Sequence, residues 1–220
     1  IDPTAFAARI ESPERDRLRA MLGVAPDQLL VGTVSCLKPQ KSPEDFVRVA
    51  ALVCQRVPAA RCVLVGDGAL RPKVEALLLE QGLQDRVTLL GWRRDVAALL
   101  KAFDVFVLTP QWEGLPCAIL EARASRIPIV ATRVGGAAEA IVEGIQGTLC
   151  PAGDVRAMAE RVCQILEDER FRVDLRTGTQ ELPEEFTIQE TLKQYQSLYA
   201  YLLHATRPSE DVMKLQPNRL

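Results

Sequence analysis

Six short apolar runs, each followed by a helical pattern or a loop, constrain the fold of this chain more than any other feature. The runs are rich in branched residues, which is typical of buried strands. They predict strands at residues 29–34, 62–65, 87–90, 104–108, 128–131 and 147–150. Strands that alternate with helices are joined by right-handed crossovers. The pattern therefore predicts an α/β fold with a doubly wound parallel sheet of about six strands and helices on both faces.

The carboxyl-terminal third of the chain has a different pattern. From Asp154 onwards the apolar residues follow a helical repeat, which predicts helices behind the sheet, the last of them over residues 188–203. Residues 206–220 are polar and lack periodicity, so we expect a disordered tail. The expected organisation is one domain over residues 1–205 followed by this tail.

Composition excludes several classes of protein. The net charge of −2 and pI of about 5.6 give no basis for a nucleic-acid surface, and no apolar run is long enough to span a membrane. The six cysteines form no C-x-x-C pair and have mostly apolar neighbours, which predicts reduced, buried thiols and a cytoplasmic location. His204 is the only histidine, so neither a Ser/His/Asp triad nor a histidine-based zinc site can form. The first residue, Ile1, is not methionine, which we interpret as a piece of a longer protein.

The polar residues gather in the loops that follow the predicted strands. In a parallel sheet these loops open on one edge, where ligands bind in open α/β proteins. The convergence predicts a single ligand site. The loops carry Lys38 and Lys41, Gly66-Asp67-Gly68, Gly91-Trp92, Glu113-Gly114 and Gly135-Gly136.

The residue types in these loops indicate a nucleotide ligand. Lys38 and Lys41 can hold a diphosphate, together with the positive end of the helix that begins near Pro116. Glu121 lies inside that helix and is better placed to accept hydrogen bonds from a neutral diol such as a ribose, while Glu113 can face the hydroxyls of a sugar. Taken singly, each feature has an ordinary alternative: solvated lysines, a common loop-to-helix turn, or a chance spacing of two carboxylates.

Two other interpretations of these motifs are less favoured. The two glutamates are separated by seven residues, as a glycosidase pair could be, but the sequence shows neither an acid of raised pKa nor a cleft. The segment Gly66-Asp67-Gly68-Ala69-Leu70-Arg71 is similar to a dinucleotide fingerprint until its last position, where Arg71 replaces the third glycine. We interpret it as a tight turn and consider NAD binding unlikely to fit.

The sequence contains an ordered set of four motifs. They are V-L-V-G-D-G-x-L-R at 63–71, V-x-L-x-G at 87–91, E-G-L-P-x₄-E-A at 113–122, and P-I-V-A-T-x₂-G-G-x₂-E at 128–139. The set resembles the carboxyl-terminal half of retaining glycosyltransferases of family 4 (group 1), which have the GT-B architecture, over roughly residues 1–201. The resemblance implies a Rossmann-like domain that binds a nucleotide sugar, with an upstream acceptor domain that this chain lacks.

The resemblance also implies roles for single residues. Glu113 and Lys41 would be catalytic: Glu113 engages the donor sugar and Lys41 the diphosphate, with Lys38 assisting because Cys36 stands where the family has an arginine. Glu121 would hold the ribose. The remaining predicted donor contacts are Gly66, Trp92 and Arg93 in their loops, and the backbone of Gly114, Leu115 and Cys117.

The sequence therefore predicts the donor-binding domain of an enzyme, acting in polysaccharide biosynthesis, that transfers a sugar from a nucleoside-diphosphate sugar with retention. The partners expected are this donor and a sugar or lipid-linked acceptor held by the absent amino-terminal domain, with no cofactor and no metal. The fragment alone would be nearly inactive, and a peripheral membrane association of the full-length enzyme stays open. The alternatives are a GT-B-like sugar-nucleotide epimerase and a catalytically silent nucleotide-binding or scaffold domain, for which Cys36 is the best argument.

Overall fold

The computed structural model describes residues 1–8, 11–178 and 182–205, and every structural statement concerns these residues. The chain divides into two compact units: Pro3–Leu182 form the larger one, and Ile1–Asp2 with the segment from Pro183 form the smaller. The predicted tail at 206–220 lies outside the described residues.

The larger unit contains a six-stranded sheet in which every neighbouring pair of strands is parallel. The strand order is β3-β2-β1-β4-β5-β6, so the doubly wound α/β fold predicted from the sequence is confirmed. This order places β1 beside β4 at the centre, where the two halves of the sheet wind in opposite directions. The strands are β1 (Leu29–Val34), β2 (Ala60–Val65), β3 (Val87–Gly91), β4 (Val105–Leu108), β5 (Ile129–Thr132) and β6 (Gly147–Cys150).

Helices cover both faces of this sheet. Every residue of β4 is buried, and successive residues of a strand point to opposite faces, so both faces must be shielded from water. Val105 and Val107 belong to the core cluster that includes residues of α3 and α8. The helices of this unit are α1 (Thr4–Ala7), α2 (Ser12–Met21), α3 (Pro43–Arg56), α4 (Arg71–Glu80), α5 (Val96–Ala102), α6 (Cys117–Ala124), α7 (Ala137–Ala140), α8 (Val155–Glu167) and α9 (Glu169–Gly178), with a 3₁₀ turn at Pro39–Lys41.

The smaller unit is built on one long helix, α10 (Ile188–Ala205), preceded by a 3₁₀ turn at Glu184–Phe186. The amino terminus of Ile1 donates to the Phe186 carbonyl oxygen at 2.8 Å, and the Ile188 N–H donates to the Ile1 carbonyl oxygen at 2.9 Å. The apolar residues Leu192 and Tyr195 of α10 are about half exposed. None of the helices in the described residues combines the length and apolarity needed to cross a membrane.

The prediction for the cysteines is partly wrong. All six thiols are free, as expected, and four of them are buried. Cys36 is half-buried and Cys117 is exposed. Both lie in segments beyond the carboxyl ends of β1 and β4, outside the core that the helices cover.

A buried ionic cluster around Asp104 connects α2 to the two central strands. The Asp104 carboxylate accepts hydrogen bonds from the Leu30 N–H at 2.7 Å, from Arg19 Nη1 at 2.9 Å and from Arg15 Nη2 at 2.8 Å. Burial of the carboxyl opposes ionisation, but the Leu30 N–H and the two guanidinium groups outweigh it and lower the pKa of Asp104. Leu30 belongs to β1 and Asp104 directly precedes β4, so the cluster holds the central pair of strands in place.

The cluster yields a stability prediction for Asp104→Asn. The substitution leaves the buried Arg19 guanidinium without a counter-charge, and we expect the free energy of unfolding to fall by about 3 kcal/mol. Asp95→Asn is the matched control, because it removes an aspartate from an exposed pair with Arg93 and should cost less than about 1 kcal/mol. Urea unfolding at pH 7 measures both. Equal losses would show that the cluster contributes no more than a surface pair.

The same cluster predicts how the difference in unfolding free energy between wild type and Asp104→Asn depends on pH. A carboxyl whose pKa is lowered by folding stabilises the protein above its unfolded pKa, about 3.9 for aspartate, and this stabilisation is lost as the pH falls through the folded pKa. The gap in unfolding free energy between wild type and Asp104→Asn should therefore narrow below about pH 4.

Candidate functional site

The loops that follow β1 and β4 flank the point where the sheet changes direction, and they are bound to each other. The Gln111 N–H donates to the Gln40 carbonyl oxygen at 2.8 Å. The Thr109 hydroxyl lies 3.2 Å from the Lys41 carbonyl oxygen and 3.0 Å from that of Ser42. In open α/β sheets the crevice at this point is where ligands bind. These bonds therefore hold both walls of the candidate site in a defined position.

The two residues predicted to be catalytic meet across this crevice. The Lys41 Nζ contacts the Glu113 carboxylate directly, although the residues are 72 positions apart in the chain. Their side chains are 17% and 14% exposed, so the pair is shielded but reachable. The Gln40 side-chain amide donates to the Trp112 carbonyl oxygen at 3.1 Å and so holds the loop beside Glu113. A cation and a carboxylate are thus available together at one point of the crevice.

The start of α3 is bound to the β4 loop through Asp45. Ser42 is the residue before the helix, but it has φ of 45°, and its hydroxyl donates to Asp45 Oδ2 at 2.7 Å without capping the backbone. The Gln111 side-chain amide donates to the same oxygen at 3.0 Å. Asp45 therefore anchors the β4 loop. Sequence reasoning missed the roles of Gln40, Thr109 and Gln111, because glutamine and threonine in loops form no pattern that marks a long-range contact.

Glycines fix the position of the loop that carries Glu113. The Gly136 N–H donates to the Gly114 carbonyl oxygen at 2.6 Å. Gly135 has φ of +47°, and a Cβ on it would lie 1.7 Å from the Glu113 carbonyl oxygen, so no other residue fits. Gly114, by contrast, has no atom within 4 Å of where a Cβ would stand. Gly114 is therefore open on the side where a side chain would stand, as required for close approach of a ligand.

Gly66 has a packing role in the structure. It is buried with φ of +134°, and a Cβ there would lie 1.9 Å from the Ser35 carbonyl oxygen. Its N–H donates to the Gly91 carbonyl oxygen at 2.8 Å. Gly66 therefore lets the loops after β1, β2 and β3 pass closely, and its predicted contact with a donor stays a prediction.

The start of α6 supplies the remaining residues of the crevice wall. Pro116 is the cap residue, and the helix begins at Cys117, as the sequence predicted. The Ile119 N–H donates to the Pro116 carbonyl oxygen at 3.0 Å, and the first N–H groups of α6 form the positive end of this helix. Leu115 and Cys117 are exposed at this end. The backbone there can donate to an anion.

Glu121 is a half-buried carboxylate on α6 that accepts no hydrogen bond from the described part of the chain. Burial removes water from the carboxyl and raises the pKa of Glu121 above its ordinary value. A charged acceptor that the protein leaves unsatisfied is unfavourable for stability and is common at sites that bind a ligand.

The other predicted residues lie further from the pair of Lys41 and Glu113. Lys38 is exposed in the β1 loop. Trp92 is 75% exposed after β3, which is the edge strand, and the Arg93 guanidinium is held by Asp95 at 2.6 Å and 2.8 Å. The structure thus brings together Lys41, Glu113 and Gly114 and leaves Trp92 and Arg93 at the periphery. Among residues 1–8, 11–178 and 182–205, no group of three His, Cys, Asp or Glu side chains could hold a metal ion.

Comparison with known proteins relates this chain to one family. A family model described as "Glycosyl transferases group 1" matches residues 14–182. The N-acetyl-alpha-D-glucosaminyl L-malate synthase of Bacillus anthracis is 30% identical over 184 residues, which are 83% of this chain and 48% of that protein. An alpha-1,3-galactosyltransferase of Escherichia coli that is named for a UDP-Gal donor is 28% identical over 202 residues, 90% of this chain and 52% of that protein.

A solved structure gives a similar result. The crystal structure of Anabaena HepE in complex with UDP-glucose superposes with a TM-score of 0.79 and 26% identity, covering 90% of this chain and 56% of the HepE chain. The present chain thus spans about half the length of the relatives it matches.

The glycine contacts predict the effect of Gly135→Ala. A methyl group at this position collides with the Glu113 backbone in addition to straining a left-handed φ. Gly153→Ala is the control, because Gly153 has φ of +77° and open space around it. We expect the control to lose about 1 kcal/mol of unfolding free energy and Gly135→Ala about 1–3 kcal/mol more. Urea unfolding of both variants measures the difference, and equal losses would contradict the close contact with Glu113.

Proposed function

Because the chain belongs to the group 1 glycosyl transferases, we propose that it is the donor-binding part of an enzyme that transfers a sugar from a nucleoside-diphosphate sugar to an acceptor. The observation that carries the proposal is the contact of Lys41 with Glu113 beside the open backbone of Gly114, at the point where the sheet changes direction. A uridine nucleotide is the first donor to test, because relatives are named for, or crystallised with, UDP-sugars.

The proposed chemistry depends on stabilising the leaving group. Transfer breaks the bond between the anomeric carbon and the diphosphate, and negative charge develops on the departing phosphate oxygen. Lys41 and the positive end of α6 supply fixed compensating charge there. The Lys41 ammonium has three N–H donors, so it can contact a phosphate oxygen while it still holds Glu113.

Each carboxylate has a separate proposed role. Glu113 orients the hydroxyls of the donor sugar, and its contact with Lys41 keeps it from repelling the diphosphate. Glu121 accepts hydrogen bonds from the ribose hydroxyls, which would satisfy an acceptor that the protein leaves free. Lys38 provides the second cation of the diphosphate site, since Cys36 carries no charge-compensating guanidinium. Trp92 and Arg93 are proposed to contact the base.

The rest of the proposal concerns the whole enzyme. Transfer with retention follows the family resemblance, and the site uses fixed cations without a metal. The acceptor is proposed to bind to an amino-terminal domain within the additional length of the relatives, and the present chain alone to turn over little. The six free thiols support a reducing, cytoplasmic location.

The first prediction from this proposal concerns nucleotide binding. Calorimetry with UDP, GDP and ADP should detect binding of at least one nucleotide to the folded chain. Lys41→Ala should weaken that binding at least about tenfold, because it removes a charge-assisted contact and leaves Glu113 uncompensated beside the diphosphate. Lys73→Ala, which removes an exposed lysine of α4, is the matched control and should bind as wild type does.

A double variant separates the loss of the Lys41 contact from the repulsion by the uncompensated Glu113 carboxylate. Lys41→Ala combined with Glu113→Ala should recover part of the lost UDP affinity, since the repelling carboxylate is gone as well. If no nucleotide binds to the folded wild-type chain, or if Lys41→Ala binds as tightly as the control, the proposed site is wrong.

The second prediction concerns Glu121→Gln. Burial raises the pKa of Glu121, so the ionised carboxylate destabilises the folded state above that pKa. Glu121→Gln removes this charge and should raise the melting temperature at pH 7, while weakening UDP-glucose binding at least about tenfold, because a carboxylate is the stronger acceptor. Differential scanning calorimetry and a binding titration measure the two effects.

The pH dependence provides a further check. Affinity of the wild-type chain for UDP-glucose should fall as the pH drops through the raised pKa of Glu121, at a higher pH than an exposed glutamate would give, and Glu121→Gln should lack this step. A variant that is less stable than wild type, or one that keeps full affinity, would contradict the ribose-binding role.

A further inference from the structure

A second cavity lies at the opposite edge of the sheet from the candidate site. Its volume is about 350 Å³, and the larger unit supplies all of its lining. Lys101 lies near the end of α5, and Arg126 and Ile127 lie just before Pro128 and β5, so the cavity is at the amino ends of the strands. The loops of the candidate site follow the carboxyl ends. The two sites are therefore separated by the length of the strands.

The cavity is strongly cationic. Arg15, Lys101, Arg126 and Arg176 line it, and no acidic residue is among the lining residues that the structure describes. Two of these arginines share one carboxylate, Asp104, which Arg15 contacts at 2.8 Å and Arg176 at 3.6 Å. Arg19 contacts the same carboxylate at 2.9 Å. Burial, and the repulsion of the neighbouring arginines, lower the pKa of Arg176 despite Asp104. Positive charge thus exceeds negative charge among the lining residues that the structure describes.

Several donors in this cavity have no partner in the described part of the chain. The Arg176 Nε and the Ser125 Oγ are buried without a hydrogen bond. The Arg126 guanidinium makes neither a hydrogen bond nor an ion pair with the described residues. Buried donors are nearly always satisfied in folded proteins, so the Arg176 Nε and the Ser125 Oγ indicate a missing acceptor. Arg126 is exposed, so its guanidinium is available to bind an anion from solvent.

The backbone conformation of Arg126 is a third indication that this cavity binds a ligand. Arg126 has φ of +56° and follows the end of α6, where its N–H donates to the Arg123 carbonyl oxygen at 2.9 Å and the Ile127 N–H to that of Ala122 at 3.2 Å. This is the Schellman arrangement, in which glycine is preferred at the left-handed position. An arginine there is unfavourable for the backbone and presents its side chain to the cavity.

We propose that this cavity binds a small phosphate ester. Lys101 and Arg126 would bind the phosphate oxygens from the open side, and Arg176 Nε and Ser125 Oγ would donate from within. Phe6 and the alanines beside it form an apolar wall for the carbon part of the ligand. The ligand is either a free metabolite or the head group of a phospholipid, since both present the same phosphate chemistry. This site is separate from the nucleotide-sugar site and does not depend on it.

The test is a calorimetric titration of the full chain with glycerol 3-phosphate, with inorganic phosphate and with neutral glycerol. A parallel arm measures co-sedimentation with phosphatidylcholine vesicles that contain or lack phosphatidic acid. We expect saturable binding of glycerol 3-phosphate and none of glycerol. Arg126→Gly and Lys101→Gln should each weaken binding at least about tenfold. Binding only to phosphatidic acid vesicles, weakened by the same variants, would assign the site to a lipid head group.

The choice of variants and controls distinguishes a loss of phosphate-ester binding from a loss of folding. Arg126→Gly places glycine at a left-handed position, so its melting temperature should not fall. Arg170→Gln removes an exposed arginine that does not line the cavity and should bind as wild type does. The proposal is overturned if no phosphate ester or vesicle binds to the folded chain, if Arg126→Gly and Lys101→Gln bind as wild type does, or if UDP competes with glycerol 3-phosphate. The last result would place the ester in the nucleotide site.

Discussion

The pairing of β1 with β4 is the interaction on which both ends of the larger unit depend. Their register is short, with Val31 opposite Val105 and Gly32 opposite Phe106. At the amino ends the Asp104 carboxylate accepts the Leu30 N–H, and at the carboxyl ends Gln111 and its neighbours bind the β1 loop. Gly32 also lets the Phe103 ring approach, because a Cβ there would lie 2.1 Å from the ring. One strand pair therefore positions the candidate donor site at one edge and the cationic cavity at the other.

The site residues are held at a cost to stability. Ionised Glu121 is partly removed from water without a hydrogen-bond partner in the described chain, and Gly135 fits only because it lacks a side chain. Asp104 has the opposite character: three donors satisfy it and its charge stabilises the fold. Asp104 is thus a carboxylate that stabilises the fold, whereas Glu121 is one whose hydrogen-bonding capacity remains available to a ligand. The donors in the cationic cavity belong to the second kind.

Sequence patterns predicted the elements well and the loop contacts poorly. All six strands were located to within two residues, because each strand is a local run of apolar residues bounded by turn residues. Burial of Cys36 and Cys117 was predicted wrongly, since apolar neighbours in the sequence do not ensure packing at the edge of a sheet. The contacts of Asp45 were missed for a related reason: it accepts hydrogen bonds from the Ser42 hydroxyl and from the Gln111 amide, and Gln111 is distant in the chain.

The sequence by itself determined the order of strands and helices along the chain, the parallel sheet, the loops that carry Lys41 and Glu113, and the helix that carries Glu121, because these follow from local periodicity and from the handedness of crossovers. Only the tertiary structure decided that Lys41 touches Glu113 across 72 positions, that Gly135 fixes the Glu113 loop, and that Lys101, Arg126 and Arg176 share one cavity. Such contacts join segments from different βα units. Their geometry depends on how the helices pack on the sheet, which no local pattern encodes.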